Sequence, residues 1–196
     1  MAGDWVIWGV KRPRKAFTVR DIQGVERAYE LAYGVSRVTG FPSTATFRMH
    51  PDFPTDTLPS DNIVNVGDLI LVSDRLRQFL ETRHLEKVEF LPVTILNHKK
   101  RALRERYTLV HPIEPVECLD ADKSGADWSD DKDIIWDVER IVLRNKDIPK
   151  SRQLFRPRFF PKIVLVRRDL ADAMSAAEFS AVRWIELSDY PRPGGG

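Results

Sequence analysis

The side chains that could perform nucleophilic or acid–base chemistry are scattered along this 196-residue chain. Ser73 follows an apolar run and precedes a helical pattern, a place that suits either a serine nucleophile or a helix N-cap. We interpret Ser73 as an N-cap, because Asp74 adds the negative charge that favours a helix start. The four histidines each lie beside a proline, a turn or a helix end, which predicts loop or surface positions: His50, His84, His98 and His111.

No catalytic or cofactor-binding motif accompanies these residues. The sequence contains no glycine-rich phosphate loop, no G-x-S-x-G and no H-E-x-x-H. Cys118 is the single cysteine, which excludes an intrachain disulfide and a zinc site built on several cysteines. There is also no secretory signal and no run of about 18 to 20 apolar residues. We therefore expect a cytoplasmic protein without enzymatic activity, metal, cofactor or membrane contact.

The segment 120–125 (Asp-Ala-Asp-Lys-Ser-Gly) is similar to the start of a calcium-binding loop. Such a loop needs oxygen ligands at alternate positions and a turn glycine, and its twelfth position would be Asp131. Lys123 inside the loop and the missing glutamate at position twelve favour an ordinary acidic turn. A calcium- or ligand-responsive module is the alternative.

Charge is strongly segregated, although the net charge of the whole chain is only +2. Residues 114–139 hold ten acidic residues against two lysines, a net charge of −8. Residues 140–168 hold ten basic residues against one aspartate, a net charge of +9. These acidic and basic blocks either pair with one another or form separate recognition surfaces.

The basic block has the composition of a single-stranded nucleic-acid site, since Phe155, Phe159 and Phe160 are interleaved with arginines. The residues of this alternative basic surface are Arg152, Arg156, Arg158 and Lys162. The same pattern also suits a strand with aromatic residues inward and arginines outward. Because no nucleic-acid-binding module is recognisable, nucleic acid is not the expected partner.

The acidic block suits a surface that meets a basic protein partner, because it contains Trp128 and Trp136. Tryptophan is a frequent anchor of protein interfaces, and carboxylates around it accelerate association with a cationic partner. We assign the anchor to Trp128 and place Trp136 in the core.

An internal repeat organises the elements that must carry these residues. Residues 69–93 align without a gap with residues 163–187, at a constant offset of 94. Each copy begins with four apolar residues, continues with a one-sided helical stripe and ends in alternating apolar residues. The repeat therefore predicts two similar strand–helix–strand units.

Between the two copies the pattern is that of β-strands. The runs 88–95 and 107–110 predict a hairpin whose first strand is an edge strand with a bulge at Pro92. Further strands are expected at 116–119, 134–143 and 154–160. The predicted fold class is α+β, with a mixed, mainly antiparallel sheet and two or three short helices.

The N-terminal third is expected to form a layer of its own. Residues 4–10 predict a strand, and apolar residues at helical spacing between Asp21 and Gly34 predict a helix. Three prolines between residues 51 and 61 mark a boundary. The predicted organisation is an N-terminal strand and helix layer with a proline-rich connection (1–60), an α+β domain (61–190) and a flexible tail (191–196).

Short matches in a fixed order run through residues 62–187. They are Leu71, Val72 and Ser73 before a helix, the segment 88–93 (Val-Glu-Phe-Leu-Pro-Val), Cys118, Leu119, Asp120 and Ser124, Ile148 and Pro149, Leu154, Phe155 and Arg156, and Val164, Leu165 and Val166. By these matches the chain resembles immunity-protein family eleven, bacterial domains assigned to polymorphic toxin systems.

The resemblance implies an antitoxin that binds a cognate protein toxin, and it carries over no catalytic residue. A toxin with a basic substrate groove, as in a nuclease, would meet the acidic block. We therefore predict the toxin contact at Asp120, Asp122, Asp127, Trp128, Asp130, Asp131 and Asp133.

Overall fold

A computed structural model describes residues 3–190 and arranges them as three sheets with short helices. In chain order the strands are β1 (Trp5–Val10), β2 (Thr46–Arg48), β3 (Asn62–Ile63), β4 (Ile70–Ser73), β5 (Val88–Leu96), β6 (Tyr107–Pro112), β7 (Ala126–Trp128), β8 (Ile135–Val138), β9 (Leu154–Phe155), β10 (Leu165–Arg167) and β11 (Val182–Glu186). The helices are α1 (Asp74–Glu81), α2 (Ala121–Ser124) and α3 (Arg168–Ala176), and 3-10 helices span Ala28–Leu31, Asn145–Asp147 and Leu187–Asp189.

The strands pair almost entirely in antiparallel fashion. One sheet has the order β11-β1-β10-β9, and a second has the order β2-β5-β6-β4-β3, in which only β2 and β5 are parallel. β7 and β8 form a separate antiparallel hairpin. The predicted α+β class with mainly antiparallel pairing is confirmed, but the strands are divided among three sheets instead of one.

The two strand–helix–strand units are present at the offset that the sequence indicates. Ser73 and Arg167 each precede a helix, and Val88 and Val182 each begin the strand that follows it. In both units an antiparallel strand is inserted between the two repeated ones, β6 in the first and β1 in the second. In each unit, one antiparallel strand therefore separates the two repeated strands, although the separating strands come from different parts of the chain.

The helices of the two units pack in one shared core between the two larger sheets. We call this core the inner core. Leu76 and Leu80 of α1 pack there with Leu170 and Met174 of α3. A second core, around Trp5, Ile7, Phe155 and Phe160, covers the other face of the first sheet, and a third core, around Phe47, Leu71, Leu91 and Leu109, covers the other face of the second sheet. The two larger sheets are thus buried on both faces, which explains the continuous apolar runs in their strands.

The predicted helix between Asp21 and Gly34 is wrong, because only Ala28–Leu31 forms a 3-10 turn. Gln23 instead exchanges two backbone hydrogen bonds with Thr46 of β2, at 2.8 and 3.0 Å. The backbone of this segment is therefore used in pairing with a distant strand.

The predicted bulge at Pro92 is also absent. The pairing of β5 with β6 is continuous from Val88 opposite Pro112 to Val93 opposite Tyr107. Pro92 tolerates this position because β2 pairs with β5 only from Thr94 onward. The apparent change of phase arises because one face of β5 packs on the inner core and the other on the third core.

Several predicted strands are shorter than expected or missing. The run 134–143 forms only Ile135–Val138, and the run 154–160 forms only Leu154–Phe155. Residues 116–119 make isolated bridges. The backbone groups of residues 116–160 form hydrogen bonds with neighbouring irregular segments instead. For example, the Val116 N–H donates to the Arg156 carbonyl (2.9 Å).

The division into residues 1–60, 61–190 and 191–196 stays a prediction. β1 and β2 come from the first segment and pair with strands of the second. The predicted flexible tail, 191–196, lies outside the described residues. No helix within residues 3–190 is both long and apolar enough to cross a membrane.

Candidate functional site

The centre of the acidic block folds into the β7–β8 hairpin, which packs one face on the second core. The packed residues are Ala126, Trp128, Ile135 and Val138. Ser129 closes the turn: its hydroxyl donates to the Asp133 carboxylate (2.7 Å) and accepts from the N–H groups of residues 133 and 134 (3.2 Å each). Asp130 and Asp131 at the tip are exposed.

Asp120 is occupied within its own turn. Its carboxylate caps α2 by accepting from the Lys123 N–H (3.2 Å), and it forms an ion pair with the Lys123 ammonium (2.9 Å). The hydrogen bonds from Lys123 hold the pKa of Asp120 below its usual value. Within residues 3–190 no group of three or more acidic, histidine or cysteine side chains is arranged to hold a metal ion.

The outer face of the hairpin carries Asp127, Trp136 and Asp137. Asp127 lies directly opposite Asp137 across the ladder, between two pairs that face the core. The register shifts next to this pair, and Trp136 is the additional residue on β8. Its side chain is 55% exposed. We call Asp127, Asp130, Asp131, Trp136 and Asp137 the acidic face.

Of the two tryptophans, Trp136 contradicts the expectation of a core position, because it is the more exposed one. Trp128 is half-buried, and its ring lies 5.4 Å from that of Phe159. Trp136, expected in the core, is turned outward by the bulge. Sequence reasoning missed Trp136 and Asp137 because Ile134, Ile135 and Trp136 form an unbroken apolar run, in which a bulge leaves no signal.

The carboxylates of the acidic face form no ion pair with any of residues 3–190. Cross-strand partners have Cβ atoms roughly 5 Å apart, and like charges at that position are destabilising. Lys162 donates to the backbone carbonyl of Trp136 and forms no ion pair with these carboxylates. The acidic face therefore carries four carboxylates, none of which is held in an ion pair within residues 3–190.

The acidic and basic blocks pair with one another only at one end of the acidic block. Glu114 lies 3.8 Å from Arg152, and Glu117 lies 3.7 Å from Arg144 and 3.8 Å from Arg158. The pairing interpretation of the charge blocks therefore holds at this end of the acidic block, and the remaining carboxylates of the block form no ion pair with the basic block.

The four residues of the alternative basic surface do not form one surface. Arg152 is 5% exposed and donates to the carbonyls of Ile113 and Glu114, at 3.2 and 3.1 Å. Arg156 is 2% exposed and donates to two backbone carbonyls, and burial lowers its pKa to about 10. Only Arg158 and Lys162 are exposed. Phe155 and Phe160, needed for stacking on bases, are fully buried.

Ser73 is the N-cap that the sequence predicts. Its hydroxyl accepts from the Leu76 N–H (3.3 Å) and donates to the Asp61 carboxylate (2.8 Å). Among the histidines, His111 contradicts the prediction of loop or surface positions, because it lies in β6 and is 3% exposed. Its Nε2 is 2.8 Å from the Val35 carbonyl, and burial lowers its pKa.

The chain matches a known protein family over most of its length. The model of the immunity protein family Imm11 matches residues 9–189, which includes both strand–helix–strand units and the acidic face. No curated protein matches the chain. Because the match covers most of its length, this chain belongs to the Imm11 immunity protein family.

Proposed function

We propose that this immunity protein binds a cognate bacterial toxin stoichiometrically and blocks its active site or substrate path. Membership of the family supports a toxin partner. In this proposal the protein acts in the cytoplasm, as part of a polymorphic toxin system used in competition between bacteria. Inhibition is steric and electrostatic, so that no catalytic residue of this chain is needed.

The observation that carries the proposal is the set of carboxylates on and beside the hairpin that form no ion pair with any cation of residues 3–190. They are Asp122, Asp127, Asp130, Asp131, Asp137 and Glu139. Exposed charges of one sign steer a partner of opposite sign and raise association rates by about 10-fold to 1,000-fold. A toxin whose substrate groove is basic, as in an enzyme that acts on nucleic acid, fits this surface.

The geometry changes which of the predicted contact residues are available to a partner. Asp122, Asp127, Asp130 and Asp131 are exposed. Asp120 and Asp133 are engaged in local hydrogen bonds, and Trp128 packs on the second core. The proposed contact is therefore the hairpin and its tip. Asp120 and Asp133 hold the neighbouring turns in place and are not themselves part of the contact.

The test is to express the product of the adjacent gene in a sensitive host, with and without this protein. We expect growth rescue and co-purification of a one-to-one complex. A host that is not rescued, together with no complex, would contradict the proposed function.

A triple charge reversal tests the surface itself. Replacing Asp127, Asp130 and Asp131 by lysine is expected to lower affinity for the toxin by about 10-fold to 100-fold, chiefly through slower association. A matched reversal of three exposed glutamates elsewhere, Glu26→Lys, Glu86→Lys and Glu105→Lys, serves as the control. Equal protection by both triple variants would exclude the hairpin as the contact.

A further inference from the structure

Trp136 is the large apolar side chain that the hairpin turns outward. It is 55% exposed, whereas Trp128 on the facing strand is packed against Phe159. Because the bulge adds one residue between Ile135 and Asp137, alternation along β8 no longer directs Trp136 toward the second core. The bulge therefore presents a ring on a face that is otherwise acidic.

Two carboxylates of like charge lie next to this ring on the same face of the hairpin. Asp127 and Asp137 face each other across the ladder, and neither forms an ion pair within residues 3–190. Like charges in that register destabilise a hairpin. A cation placed between them would reduce the repulsion, and no lysine or arginine of residues 3–190 lies within ion-pair distance of either carboxylate.

We infer that Trp136 is the apolar anchor of the toxin complex, and that Asp127 and Asp137 together form a seat for an arginine of the toxin. This inference rests on the proposed function and specifies its partner: a protein surface with a guanidinium group beside an apolar cleft. Arginine fits better than lysine because the five N–H donors of its planar guanidinium group are spread over three nitrogens, so that different edges of the group can bond the two carboxylates.

The backbone around the anchor is fixed before the partner arrives. The Lys162 ammonium binds the carbonyl of Trp136, and the flanking residues Ile135 and Val138 are buried in the second core. An anchor that is held in place loses little conformational freedom on binding, which favours a hot spot at this position. The indole face also offers a second contact to the same guanidinium group.

The first test compares two exposed aromatic residues. Trp136→Ala is expected to weaken binding of the purified adjacent-gene toxin by about 30-fold or more, the loss typical of an interface hot spot. The control is Tyr29→Ala, because Tyr29 is 61% exposed on a different segment. The urea midpoint of Trp136→Ala should match that of the wild type. Unchanged affinity of Trp136→Ala would overturn the inference.

The second test separates a binding role from a structural one. Asp127→Asn and Asp137→Asn should each raise the denaturation midpoint of the free protein, because each removes the repulsion. The same substitutions should weaken toxin binding by about tenfold or more, as expected for loss of a charged hydrogen-bonding partner. Midpoints that fall or stay unchanged would show that the two carboxylates do not repel, and would overturn the seat.

The outcomes also distinguish the inference from the proposed function. A wild-type protein that binds the toxin, with variants at Trp136, Asp127 and Asp137 that bind equally well, would refute the anchor and the seat alone. A wild-type protein that binds no toxin would refute both. Opposite shifts of stability and affinity in the two asparagine variants would support both.

Discussion

Buried ionisable side chains hold an irregular segment of this protein against the second sheet. His111 in β6 contacts the carbonyl of Val35 through Nε2 (2.8 Å). Glu89, opposite it in β5, accepts hydrogen bonds from the Ser36 hydroxyl (2.5 Å) and the Arg37 N–H (2.8 Å). The segment 35–37 is therefore attached to the second sheet by two buried ionisable side chains.

We predict that His111 makes stability depend on pH. Burial lowers the pKa of His111 from its ordinary 6.5, and the contact with Val35 and the charge of Glu89 offset this only in part. The folded protein then binds fewer protons than the unfolded chain, so stability is fully present above about pH 6.5 and is lost as the pH falls. Urea unfolding at pH 7, 6 and 5 should show a declining free energy of unfolding.

His111→Gln keeps a donor for the Val35 carbonyl and removes the titration, so its free energy of unfolding should vary less over this range. His84→Gln, at an exposed position, is the control and should keep the wild-type slope. Identical slopes in the wild type and His111→Gln would refute the assignment.

The sequence predicts a residue's role when that role depends on near neighbours. Ser73 is identified as a cap because its partner, the Leu76 N–H, is three residues away. The exposure of Trp136 and the facing of Asp127 and Asp137 depend on the register of two strands. The composition of the acidic block therefore locates the candidate surface, whereas its contact residues require the fold.

At the level of elements, Asp61 connects the two strand–helix–strand units. Its carboxylate accepts from the hydroxyl of Ser73, from the N–H and hydroxyl of Ser180 (2.9 Å each) and from Arg75 (3.0 Å). Burial raises the pKa of Asp61, but the hydrogen bonds from Ser180 and Ser73 and the charge of Arg75 outweigh it and leave the pKa lowered. One carboxylate thus joins the start of α1 to the segment between α3 and β11.

We predict that the interactions of Asp61 and Ser73 are coupled. Asp61→Ala should lower the free energy of unfolding by about 2 kcal/mol, since several donors lose a charged acceptor. Ser73→Ala should cost about 1 kcal/mol through loss of the cap. In the double variant the losses should fall short of additivity by about 1 kcal/mol, measured by urea unfolding. Asp52→Ala, at an exposed position, is the control, and strict additivity would contradict the coupling.

The elements differ in how far their sequences reveal them. The repeated units are predictable because apolar spacing within about 25 residues defines each strand and helix. The segment between Asp21 and Gly34 has helical spacing as well, but Gln23 pairs with Thr46, and Gly24 and Arg27 adopt positive φ angles of 78° and 50°. Pairing with a distant strand overrides local periodicity there.

For the whole molecule, the net charge of +2 is an average over unlike surfaces. Glu114 and Glu117 at one end of the acidic block are matched by arginines of the basic block. Arg152 and Arg156 are buried, which removes two positive charges from the surface. The acidic face is left without such compensation, so the field that a partner meets depends on which side it approaches.

The position of β1 decides whether the molecule can be divided. β1 lies between β10 and β11, and its side chains alternate between the inner core and the second core. Val6 is fully buried on one face, and Ile7 is buried on the other. Residues 61–190 alone would contain β10 and β11 with a gap between them.

We therefore predict that a chain beginning at residue 61 does not fold by itself. Without β1 the two strands that it joins lose their shared partner, and apolar surface of two cores becomes exposed to water. Circular dichroism should show no cooperative transition in urea for residues 61–196, whereas the full chain should unfold cooperatively. Co-expression with residues 1–60 should restore a complex that unfolds cooperatively, because the missing strand is supplied again. A cooperative transition of residues 61–196 alone would instead support a domain boundary near residue 60.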